Sequence, residues 1–128
     1  MDYADYLTIV YNNDIDTAFR NQAMENIHQL FAYRSAYEQP VPDHIIPGNY
    51  RSLQFIIDSI EIINPLERQV TETYKGRMQY SFQILGITAT DTMNLDTSLH
   101  QMGMLLQMRL KDFGENSLLV WEVLLISD

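Results

Sequence analysis

Residues 78–84 alternate with a period of two: Met78, Tyr80, Phe82 and Ile84 are apolar, and Gln79, Ser81 and Gln83 between them are polar. Successive side chains of a strand point to opposite faces. Such a run therefore belongs to a sheet with one buried face, the other being wet or against a neighbour. After Ile84 the pattern slips, and Gly86 marks a bulge or bend. A second strand is expected over residues 53–63, where isoleucine dominates and Asn64-Pro65 closes the run, although a short helix over residues 51–60 is a rival reading. Both runs should pair antiparallel. The segment between them, with Glu67, Arg68, Glu72 and Lys75, is too long for a tight turn, and Val70, Thr71, Thr73 and Tyr74 suit a projecting hairpin with a charged tip.

A helix is expected over residues 15–37. Ile15, Phe19, Ala23, Ile27, Leu30 and Phe31 recur at three- to four-residue spacing, with Asn13 or Asp14 as the cap. Residues 3–11 are rich in Tyr and β-branched side chains and read either as a strand or as a helical arm. Pro40, Pro42, Pro47 and Gly48 make residues 38–50 an extended or turning surface loop. A second helix is expected over residues 97–113, with Asp96 as N-cap, Lys111 in the last turn and Gly114 at the C-terminal position. Leu99, Met102, Leu106, Leu110 and Phe113 form one stripe, and Met104 and Met108 widen it into an apolar arc that fits deeper burial within the monomer first and a subunit contact second. The closing strand, residues 118–126, is apolar on both faces, as for a central strand, with Glu122 needing a partner. The expected fold is one α+β domain over residues 1–128: a small mixed sheet with a projecting hairpin, packed by two main helices, in the order α-β-β-α-β.

Composition narrows the functional classes. The chain has 128 residues, enough for a core without staples, and no cysteine, which removes thiolate chemistry and Cys-based zinc sites. The net charge is −9, and the eight basic residues form no run of three, so groove binding of nucleic acid is not expected. The start carries no secretory pattern, and no apolar run reaches the length of a membrane span. His28, His44 and His100 have no metal-ligand spacing. Asp91, Asp96, Glu115 and Glu122 show no spacing that pairs them, and Ser81 and Ser98 are expected to have no nearby His with a matching acid. Phosphate-binding glycine loops and nucleophile elbows are absent. No enzyme, metal site or cofactor is expected.

The long first helix through Phe19 and Ile27, the strand pair around Ile56 and Met78, the expected helix from Leu99 to Phe113 and the closing strand through Leu119 and Leu125 together resemble the tail terminator, or tail completion, proteins of long-tailed bacteriophages. The resemblance is architectural and covers most of the chain. It implies a virion protein of the tail or neck, assembled in the host cytoplasm as a ring, usually a hexamer, that caps the tail tube and joins tail to head. Its partners would be copies of itself, the tail tube protein and head-connector proteins. DNA would pass through the channel without specific binding, and no membrane is involved. Met104, Met108, Glu67, Arg68, Glu72 and Lys75 would then be interface residues. The alternative is a small acidic adaptor that binds a partner protein at a sheet edge.

Overall fold

The computed structural model describes residues 2–33, 37–69 and 73–126. Two helices, α1 (Asp2–Val10) and α2 (Thr17–Leu30), precede four strands: β1 (Ser52–Arg68), β2 (Thr73–Ile87), β3 (Thr92–Phe113) and β4 (Asn116–Ile126). The sheet is a meander in the order β1-β2-β3-β4, antiparallel throughout. The fold is α+β, but the order is α-α-β-β-β-β, and the sheet is not mixed.

The largest correction concerns residues 97–113, which form most of β3 and not a helix. Leu, Met and Gln favour helices, and their spacing satisfies a helical stripe. The same residues also satisfy a period of two: Ser98, His100, Met102, Met104, Leu106, Met108 and Leu110 share one face of β3. Pairing with β2 on one side and β4 on the other decides between the two readings, because tertiary hydrogen bonding overrides propensity. Asp96 and Gly114 therefore cap no helix, and Lys111 lies in β3 opposite Leu118. Gly114 has φ +67° in the two-residue turn between β3 and β4, where a glycine without a Cβ adopts a left-handed backbone at little cost. β4 is correspondingly an outer strand of the sheet, antiparallel to β3, and not a central one.

The ambiguous N-terminal segment is helix α1. It buries Tyr3, Ala4 and Leu7 on one face. Its Thr8 hydroxyl donates to the Ala4 carbonyl at 2.9 Å and accepts from the Phe55 amide at 3.1 Å, which ties the helix to β1. The chain then runs beside the start of β1, where the Leu53 amide donates to the Tyr11 carbonyl and the Asn13 amide to the Arg51 carbonyl. Helix α2 starts two residues later than expected and is capped by Asp16, whose carboxylate accepts from the Ala18 amide. Only Ala23 and Ile27 of α2 are fully buried, and Phe19 of the expected stripe is exposed. After Leu30 the chain is extended, and Phe31 bridges to Leu125 of β4.

The two helices cover one face of the sheet at one end. Beneath them lie Leu53 and Phe55 of β1, Met78, Tyr80, Phe82 and Ile84 of β2 and Leu125 of β4, in one apolar cluster with Tyr3, Leu7, Ile27 and Phe31. The alternation in residues 78–84 is thus the core face of β2. Phe82 is fully buried and Leu110 is 65% exposed, so the two test opposite ends of the same sheet. Phe82→Ala should cost about 3–5 kcal/mol of unfolding free energy, whereas Leu110→Ala should cost less than about 0.5 kcal/mol. Urea unfolding of dilute protein, followed by circular dichroism, checks both.

Candidate assembly interface

The strands outrun the helices. The 22 residues of β3 reach about 75 Å at strand rise, while the 14 residues of α2 reach only about 21 Å. Beyond the helices the sheet continues with its apolar face open. The register with β2 and β4 puts Met104, Leu106, Met108 and Leu110 on the helix-bearing side of β3, opposite Leu125, Val123, Trp121 and Leu119 of β4. Leu119 is 66% exposed, Trp121 50% and Val123 57%, with the Trp121 ring 6.1 Å from that of Tyr74. Along β1, Ile60, Ile62, Ile63 and Leu66 are also exposed. A monomer seldom leaves so many large apolar side chains together in water.

The expected interface residues divide between two faces. Met104 is half-buried against the core, and Met108 is exposed further along the same face. Glu67 and Lys75 are register partners and line a groove of about 570 Å³ with Asn64, Arg77, Gly103 and Ile126. Arg68 is exposed opposite Tyr74 but does not line that groove, and Glu72 lies outside the described residues. Glu67 and Lys75 therefore lie on the opposite face from the methionine pair, while Arg68, in register with Tyr74, shares the methionine face. Gly76 sits where β1 bulges: a Cβ there would meet the Asn64 carbonyl oxygen at 2.7 Å, so the backbone itself fills the space.

One polar constellation escaped the sequence reading. Asp96, Ser98 and His100 lie at two-residue spacing on one face of β3. In a helix that spacing separates them, and in a strand it lines them up. The Ser98 hydroxyl donates to the Asp96 carboxylate at 3.1 Å and sits 2.9 Å from His100 Nε2. A serine has one hydroxyl proton, so with that proton on Asp96 the imidazole Nε2–H is the donor to Ser98. Nucleophilic activation needs the reverse, with the imidazole accepting the serine proton. The His100 ring packs 4.7 Å from Phe82 and stacks at 5.8 Å on Tyr80, beside a cavity of about 310 Å³ that Glu38, Pro40 and Pro42 help to line. Among the described residues no group of three or more His, Cys, Asp or Glu could hold a metal ion. No described helix is long and apolar enough to cross a membrane.

Burial shifts the titrating groups of this end. Desolvation holds the His100 imidazole below its ordinary range, with Asp96 partly opposing, and pushes the Tyr80 hydroxyl up to about 12. The unfolded chain therefore takes up the His100 proton at a higher pH than the folded one, and stability falls as pH drops below about 6.5. Thermal unfolding should show a falling midpoint from about pH 7.5 to about pH 5.5. His100→Gln should make that slope shallower, as calorimetry at matched ionic strength would record.

Comparison with known proteins adds no relative: no family model matches the sequence, and neither a curated protein nor a solved structure is similar to it.

Proposed function

We propose that this chain is a structural subunit that assembles with copies of itself into a closed ring, of the kind that caps a phage tail tube and joins the tail to the head. The observation that carries the reading is the long sheet whose distal apolar face its own helices do not cover. Burial of apolar surface is the main driving force for subunit association. Obligate assemblies expose in the isolated protomer what resembles a core cut in half.

The tail terminator likeness rests on fewer elements than the sequence pattern suggested, since the segment from Leu99 to Phe113 is strand. What supports the reading is the body-plus-extension design. A helix-packed end gives each subunit a stable body, while the long paired strands, including the hairpin through Glu67 and Lys75, give it reach toward a neighbour or toward the tube. The −9 charge would suit a channel that DNA crosses without sticking. No catalytic role is part of the proposal.

The adaptor reading has one observation of its own. β4 is an outer strand with a single charged residue, Glu122, and an edge of that kind invites strand addition. The two readings separate by mass. Sedimentation velocity should give a closed species near six times the 15.0 kDa protomer, and negative-stain images should show rings that sit on purified tail tubes. A monomer at all concentrations, with no tube binding, overturns the ring. Since subunits of the same sign repel, association should also tighten as salt rises from about 20 mM to about 300 mM. A sedimentation series across that range reads the effect.

A further inference from the structure

Resting on the ring reading, we infer that the β3–β4 ribbon of one copy is the arm that docks on the distal β1 surface of the next. Among the described residues, β2 pairs with β3 as far as Thr73–Gln107, whereas β3 and β4 remain paired to Phe113–Asn116. Residues 108–113 and 116–121 therefore run on as a two-stranded ribbon, about 20 Å beyond the last β2 pair. A two-stranded ribbon is marginal in water by itself. Its helix-bearing side is mostly apolar, with Met108, Leu110, Leu119 and Trp121, while on the other side Leu118 and Val120 stand in register with Lys111 and Arg109. The apolar side needs cover, which a second body supplies.

Three observations choose a second copy as the occupant. The first is a matched acceptor: Ile60, Ile62, Ile63 and Leu66 stand exposed along β1, two strands away from β3. The ribbon continues the line of β3 and β4 and cannot fold back onto that surface, so an intermolecular contact is the one that joins them. The second is area. Each of these half-exposed side chains leaves on the order of 100 Å² open, so the five of the ribbon and the four of the acceptor would bury about 900 Å² over both partners, the small end of specific interfaces. The third is charge. Within residues 108–121, Arg109 and Lys111 balance Asp112 and Glu115, so the ribbon is neutral and the rest of the chain carries the whole −9. The ribbon is the part of one acidic subunit that can approach another without charge repulsion.

The contact is heterologous, because ribbon and acceptor are different surfaces, and repeated head to tail it closes a ring when the rotation allows. It is made by side chains and not by strand addition. The β1 edge has three register shifts, Pro65, a left-handed backbone at Ser59 and the charges of Asp58, Glu61 and Glu67, all of which resist a new strand.

Trp121 is the only tryptophan, so its fluorescence reports the ribbon alone. In a dilution series of the wild-type protein, the emission of the assembled species should shift to the blue. Acrylamide quenching should fall at least twofold against the dilute monomer. Leu119→Asp and Ile62→Asp, each checked for a native circular dichroism spectrum and thermal transition, should each be monomeric alone. Mixed, they should form a dimer through the one intact contact, and nothing larger. An assembled wild type whose Trp121 is as open to acrylamide as in the monomer overturns the ribbon assignment and leaves the ring reading standing. So does an Ile62→Asp variant that still assembles, or a mixture that stays monomeric beside an assembled wild type. A wild type that never assembles overturns both readings. Shielding of Trp121 only on addition of purified tail tubes assigns the ribbon to the tube and overturns the contact between copies.

Discussion

The structure turns on a mismatch of length. A strand gains about 3.4 Å per residue and a helix 1.5 Å, so a short helical layer cannot cover strands of comparable residue count. Here the helical layer is 9 and 14 residues long and the strands run to 22, more than twice the usual strand length. The covered end behaves as an ordinary two-layer core, and the uncovered end keeps the apolar alternation without a second layer. The same alternating pattern is satisfied at one end and left open at the other.

At the covered end the packing is specific. The Phe82 ring meets Phe55 at 5.8 Å, Tyr80 at 6.3 Å and His100 at 4.7 Å, while Tyr3 and Phe31 meet edge to face at 5.9 Å. Polar groups near this core are tied locally, as in the Thr8 hydroxyl that serves both α1 and β1. The reverse face of the same sheet region is different in kind. Arg77 donates to Gln101, and Gln101 donates to Gln79, a polar lattice that tolerates water. The Arg51–Asp14 ion pair at 2.6 Å is exposed on both sides, so it orients the approach to β1 and adds at most about 1 kcal/mol. The core-packing face thus has a polar patch behind it at Arg77, Gln79 and Gln101, and it is the core-packing face that continues outward into the region without cover.

The sequence carried the first three strands' worth of pattern unevenly. The alternation of residues 78–84 admits no helical stripe, whereas the isoleucine run of residues 53–63 also fits a short helix, and pairing with β2 decides for the strand. Residues 97–113 have no such exclusion. Leu and Met are strong helix formers, no β-branched residue follows Thr97, and a wide apolar arc is as consistent with a buried helix as with a strand in a sheet. Two signals favoured the strand. Seven residues from Ser98 to Leu110 keep period two, and Gly114-Glu115 stands between two apolar runs as a two-residue hairpin turn. Gly103 adds a third, since glycine inside a helix costs about 1 kcal/mol. The misreading hid the Asp96–Ser98–His100 file and made a helix face of what is a sheet face. Met108 still falls on the exposed surface, because an apolar excess is visible in composition whichever element carries it.

An exposed apolar sheet is also a hazard, and the way the chain limits it bears on which assembly it forms. Open-ended edge-to-edge growth needs two regular edges. β4 has one, with no register shift in its pairing with β3 and Glu122 its one charged residue. The opposite edge, on β1, is interrupted by bulges and Pro65 and lined with acidic residues, so it makes a poor template. A net charge of −9 adds a repulsion that grows with each added subunit and that diffuse association would have to overcome. What remains favourable is a contact that hides many apolar side chains at once in a fixed orientation. Fixed orientation repeated head to tail closes when the rotation allows, and closure leaves no apolar face to recruit a further copy. The blunted edge and the greasy face are two halves of one constraint, and under the proposed reading they favour a finite collar over a fibril.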